Sequence, residues 1–133
     1  MRILVYGAGV LGCNLTRNLF RAGKDVTLLA RGAWEKQIRE NGLQIKDKFK
    51  PGMSVSRIPV VSGLAPEDTY DVIFVVMRYR QIDTVLDSLK ANETKNIIFV
   101  GNNVRAKELT AQLPGKNVLF AFALSAGHRE KEY

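Results

Sequence analysis

The chain opens "MRILVYGAGVLG", and no other stretch restricts the fold as much. An apolar run of strand length at residues 2–6 leads directly into three glycines, Gly7, Gly9 and Gly12. The period then changes: Leu11, Leu15, Leu19 and Ala22 fall on one helical stripe, and Gly23 supplies a stop. Strand, glycine turn and helix in this order begin a βαβ unit. In that setting a G-x-G-x-x-G turn cradles the pyrophosphate of a dinucleotide. Gly7 makes the tight turn, Gly9 lets the phosphates approach the backbone, and Gly12 lets the helix lie close to the sheet. The helix N-terminus then faces the negative charge. The whole turn is the candidate cofactor site: Gly7, Ala8, Gly9, Val10, Leu11 and Gly12. The competing reading is a glycine turn kept only for packing.

The rest of the chain continues the alternation. "VTLLA" (26–30) is a second strand, followed by a short helix carrying Trp34 and Ile38 and ending at Gly42. Residues 43–60 read as a β-ribbon around Pro51-Gly52. "DVIFVVM" (71–77) has the continuous apolar character of a strand covered on both faces. Ile82, Val85, Leu86 and Leu89 then predict an amphipathic helix within "QIDTVLDSLKAN". "NIIFV" (96–100) is a strand, 104–113 a helix stopped by Pro114-Gly115, and 117–124 a final strand. The pattern predicts an α/β fold with a doubly wound parallel sheet, a Rossmann dinucleotide-binding domain over residues 1–133 with a ribbon insertion around 43–60.

Composition bounds the partners. At 133 residues the chain suits one core, and its longest apolar run, residues 118–124, is far too short to span a bilayer. Met1-Arg2 runs straight into a strand pattern, with no signal-peptide layout, so the expected location is cytoplasmic. The net charge is +7, but the basic residues are scattered. Only "KDKFK" (46–50) is dense, beside a turn and with Phe49 as its one aromatic, which fits a solvated hairpin rather than a nucleic-acid surface. A single cysteine, Cys13, gives neither a disulfide framework nor a metal site, and reads as a packing residue. The lone His128 lies in a polar tail without a partner signature, so no catalytic residue is assigned.

The second strand selects the cofactor. NAD-selective sites place an acidic residue at the end of this strand, on the ribose 2′-hydroxyl. Here the strand ends in Ala30-Arg31, and Asp25 stands at its other end. A guanidinium pairs with a 2′-phosphate where a carboxylate would repel it, so the expected cofactor is NADP(H). An exposed loop arginine is the alternative. Later strand ends offer Arg78, Arg80 and Gln81, and then Asn102 and Asn103.

Together these segments resemble the N-terminal half of the ketopantoate reductase (2-dehydropantoate 2-reductase) family. "MRILVYGAGVLG" is similar to its opening, and "LLARG" to its NADP-selecting strand end. "MRYRQIDTVLDSL" is similar to its lysine-x-x-glutamine stretch, with Arg78 in the lysine position and Gln81 retained. "IIFVGNNV" resembles its histidine-asparagine-glycine loop, with Asn102 on the asparagine and Gly101 and Asn103 departing on either side. The resemblance implies cofactor contacts from Arg78, Gln81 and Asn102, and a substrate contact from Asn102. It implies an oxidoreductase of pantothenate biosynthesis that reduces a 2-oxo acid to a 2-hydroxy acid with NADPH. The family's catalytic lysine and a substrate-binding carboxylate belong to a second, mostly helical domain. That domain is expected to be absent here, leaving the chain inactive alone.

A second reading is a non-enzymatic regulatory Rossmann domain that senses NAD(P). Exposure of the sheet edge and of the surface that would face a second domain raises the further hypothesis of a homodimer formed through them.

Overall fold

The computed structural model describes residues 1–101, 105–124 and 126–129. Strand β1 (Arg2–Tyr6) leads to helix α1 (Val10–Arg21), β2 (Asp25–Leu29) and α2 (Gly32–Asn41). A short hairpin follows, β3 (Leu43–Ile45) and β4 (Ser54–Ser56), and then β5 (Val60–Val61). The second half contains β6 (Val72–Val76), α3 (Tyr79–Ile82), α4 (Leu86–Ala91), β7 (Asn96–Val100), α5 (Ala106–Gln112) and β8 (Asn117–Ala121).

The six-stranded sheet has the order β5-β2-β1-β6-β7-β8, with every pairing parallel. It is the doubly wound order, two halves running outward from β1. Tyr6 lies in register with Leu29 of β2 on one side and Val75 of β6 on the other. The carboxyl ends of these three strands therefore open onto one crevice.

The alternation of side chains explains why β1 is apolar throughout. Ile3 and Val5 face α1 and α2, with Cys13 and Ile38 in the same cluster. Leu4 and Tyr6 face the other layer, where Ile82, Leu86, Leu89 and Leu109 close the second core. Gly23 ends α1 as expected: at φ +76° it turns the chain while Lys24 N–H reaches back to Leu19 O at 3.0 Å.

Six expectations change in detail. The innermost face of α1 is Gly12, Cys13, Thr16 and Arg17, not the leucine stripe. Leu11, Leu15 and Leu19 flank it half-buried, and Ala22 is exposed. Small residues on that face let the helix approach the sheet. Thr16 satisfies its buried hydroxyl on Gly12 O at 2.7 Å. Arg17, one of the scattered basic residues, is only 6% exposed and donates to Asp47, Asn14 and Asn18.

The ribbon is shorter than 43–60. Its two strands pair Leu43 with Ser56, but Val60–Val61 leaves to join the main sheet beside β2. Pro59 has no N–H for a hairpin ladder, and its carbonyl instead accepts from Leu28 at 2.9 Å. The amphipathic helix after β6 is two pieces. All four of its predicted apolar residues are buried, but Thr84 and Val85 donate three residues back, to Gln81 and Ile82, in a tighter turn. The Thr84 hydroxyl also bonds Gln81 O at 2.6 Å and competes with a regular helix. The last strand ends at Ala121, and Phe122 and Leu124 project into solvent. The helix expected over 104–113 begins at Ala106, with Val104 outside the described residues.

Candidate functional site: the cleft at the β1–α1 turn

The glycine turn stands at the crevice between the sheet halves, and its three glycines answer to different demands. Gly7 has φ +126°, and a Cβ there would lie 2.2 Å from Val76 O. A Cβ on Gly12 would lie 1.9 Å from Gly7 O. Both glycines are required by the fold itself. Gly9 is not: its φ of −79° suits any residue, and a Cβ there would meet nothing within 4 Å among the described residues. The space in front of Gly9 is open cleft. Gly9 is also the N-cap of α1, with no side chain to cap the first N–H groups and no acidic residue in the first turn. This geometry fits a pyrophosphate, which needs both the open approach and the donors.

The cleft has a volume of about 310 Å³. Its walls include Gly7, Ala8 and Gly9, together with Arg31 and Gln81 from the sequence expectations. Arg31 precedes α2 as its N-cap, in extended backbone. Its Nη2 donates to the Tyr6 hydroxyl at 2.8 Å, and its guanidinium lies 5.8 Å from the Tyr6 ring centroid. Asp25 stays at the far end of β2, in register with Arg2.

Gln81 is held from α3, where its Oε1 accepts from Arg78 N–H at 3.3 Å. Arg78 itself is exposed at the start of that helix and does not line the cleft. Val10 and Leu11 line a neighbouring cavity of about 850 Å³, between α1 and the β3–β4 hairpin, and Gly12 lines neither. Asn102, with Asn103, lies outside the described residues.

Three wall residues carried no signal in the sequence. Tyr6 reads as one more strand residue, although a polar-tipped aromatic directly before the first glycine could have marked it. Trp34 reads as the apolar face of α2. Arg129 is 121 positions from Ala8, yet its Nη2 donates to Ala8 O at 2.6 Å and its guanidinium sits 4.4 Å from the Trp34 ring centroid. A guanidinium thus rests on the second residue of the glycine turn, and no local pattern announces a contact of that span.

Cys13 is buried at the start of α1, and desolvation pushes its thiol up to about 11, against any lowering by the helix end. It is a packing residue. His128 is exposed on the wall of the larger cavity. No helix among the described residues is long and apolar enough to cross a membrane.

Residues 3–133 match the sequence profile of ketopantoate reductase PanE/ApbA. The chain belongs to this family. Among curated members of the ketopantoate reductase family, the 2-dehydropantoate 2-reductase of Lactococcus lactis subsp. lactis is 24% identical over 125 residues, 90% of this chain and 39% of that protein. That of Pyrococcus horikoshii is 26% identical over 120 residues, 89% of this chain and 38% of its own length. The chain thus spans about two fifths of these relatives. The fold is shared with the probable 2-dehydropantoate 2-reductase of Bacillus subtilis, with a TM-score of 0.82 at 18% identity over 99% of this chain and 44% of that one. It is shared too with a D-mandelate dehydrogenase solved with NADH and anilino(oxo)acetate, with a TM-score of 0.76 at 24% identity over 90% and 40% of the two chains.

Proposed function

We propose that this chain holds NADP(H) at the β1–α1 turn as the cofactor half of a reductase that converts a 2-oxo acid to a 2-hydroxy acid. The observation that carries the reading is Gly9. The fold explains Gly7 and Gly12 on packing alone, but nothing among the described residues requires a glycine at position 9. The open space before it supports a ligand that approaches the backbone.

The α1 N-terminus and the turn Gly7, Ala8, Gly9, Val10, Leu11 and Gly12 hold the pyrophosphate, with Arg129 as a further cation beside it. Arg31 pairs with the ribose 2′-phosphate through charge-assisted bonds. Gln81 meets the cofactor from the opposite wall, and Arg78 and Asn102 serve it from the neighbouring loops, Asn102 also touching the substrate. When bound, the nicotinamide supplies a hydride to the substrate's carbonyl carbon. No residue described in this cleft is assigned as the general acid; the family resemblance gives that role and a substrate-binding carboxylate to a helical part, so reduction draws on residues other than those named here. The substrate class is that of the relatives named 2-dehydropantoate 2-reductase, in a cytoplasmic setting.

Titration calorimetry with NADPH, NADH and ATP tests the reading. NADPH is expected to bind most tightly. Equal affinity for NADPH and NADH removes the role of Arg31, and no binding of either dinucleotide removes the cofactor site.

A further inference from the structure

We propose that Tyr6 is a positioning residue for nucleotide selectivity, its phenol oxygen holding the Arg31 guanidinium on the cleft wall in place for a 2′-phosphate. The inference rests on the NADP(H) reading above and adds the element that prepares Arg31 for it.

The argument is one of proton direction. A guanidinium only donates, so in the 2.8 Å contact between Arg31 Nη2 and Tyr6 Oη the phenol oxygen accepts. At the other end, the Ser88 hydroxyl lies 2.9 Å from Val85 O, to which it can only donate. Its one proton is committed there. In the longer 3.4 Å contact between Tyr6 and Ser88, the phenol is therefore the donor and Ser88 Oγ the acceptor. The order Arg31 to Tyr6 to Ser88 to Val85 satisfies every group and leaves the phenol's acceptor side turned toward Arg31.

The chain of bonds is anchored where it needs to be. Tyr6 is 3% exposed, on the last position of β1, and Val85 and Leu86 around the start of α4 are buried in the same core. The ring cannot swing away without opening that core. Arg31 is exposed and would otherwise sample many rotamers, all of which a bound phosphate would have to restrict. With the guanidinium held on the Tyr6 oxygen and beside its ring, one of its five N–H donors is engaged among the described residues, which leaves donors for a ligand. NADH lacks the 2′-phosphate and gains nothing from this arrangement. Tyr6 therefore acts on the ratio of the two affinities.

The test is calorimetric titration of the chain with NADPH and with NADH, for the natural protein and for Tyr6→Phe, Ser88→Ala, Arg31→Ala and the double variant Tyr6→Phe/Arg31→Ala. Tyr6→Phe keeps the ring and removes the acceptor. It is expected to lower the preference for NADPH about three- to tenfold, through NADPH binding alone, the scale of one hydrogen bond. Ser88→Ala is expected to lower it in the same direction by about twofold, as a longer and more remote bond should. In the Arg31→Ala background, Tyr6→Phe is expected to change nothing further, because the two act as one unit. If Arg31→Ala lowers the preference and Tyr6→Phe leaves it unaltered, or weakens both nucleotides equally, the positioning role is overturned while the NADP(H) reading stands. A natural protein without preference for NADPH overturns that reading and this inference with it. Should Tyr6→Phe fail to fold, Ser88→Ala decides, and an unaltered preference there counts against the proposal.

Discussion

Gly12 and Gly7 touch: a methyl group on Gly12 would sit 1.9 Å from the Gly7 carbonyl oxygen. The first turn of α1 is pressed onto the end of β1 there, and no side chain fits between them. Gly12→Ala is expected to destabilise the chain by about 3 kcal/mol or more, the upper range for overpacking against backbone. Gly9→Ala should behave differently. Its backbone is compatible with alanine, so the free protein changes by less than about 1 kcal/mol, the gain from a less flexible unfolded chain being offset by the poorer alanine N-cap. The same methyl group intrudes where a pyrophosphate would lie, and NADPH binding should fall by about 1–3 kcal/mol. Urea denaturation paired with calorimetry checks both. Unchanged nucleotide affinity in a stable Gly9→Ala variant would remove the cradle.

Arg31→Ala should weaken NADPH binding by roughly 1.5–3 kcal/mol, the range for hydrogen bonds to charged groups, and leave NADH nearly unaffected. Side-by-side titrations of the two cofactors read this directly. Equal losses would mean that the guanidinium contributes only general positive charge.

Arg17 and Asp47 make stability depend on acid. The Asp47 carboxylate accepts from Arg17 Nη1 at 2.9 Å, and this bond holds its pKa below the ordinary value of 3.8. The folded value thus lies below the unfolded one. The contribution is complete above the unfolded value, near pH 4, and is lost as the pH falls through the lowered folded value. Asp47→Asn removes it at every pH. The urea midpoints of variant and natural protein should differ at pH 7 and converge at low pH; a constant difference would show that the charge is not what matters.

The edge strand β8 is uncharged, and one side of it is open among the described residues. Phe74, Ile98 and Leu119 lie in register across β6, β7 and β8, and Leu119 is 61% exposed with Phe122 at 72%. Such an edge favours pairing with another copy. Light scattering should show mass rising with concentration, and Leu119→Lys should suppress the rise. A monomer at high concentration would count against self-association.

Much of this molecule follows from local pattern. The strand–glycine–helix opening, the alternation of strands with helices and the glycine stops each arise from interactions within a few residues, and the sequence therefore determined the doubly wound sheet and the position of its glycine turn. Arg31 at the end of β2 was legible for the same reason. Tertiary structure decided what depends on distant partners. The departure of Val60–Val61 from the hairpin needed the open edge of β2, and the burial of Arg17 needed Asp47 from a loop 30 residues away. Tyr6 became a holder of Arg31, and Arg129 came to rest on the glycine turn, only once chain segments far apart met at the crevice. Periodicity records which face a residue turns inward. It does not record which other residue waits there.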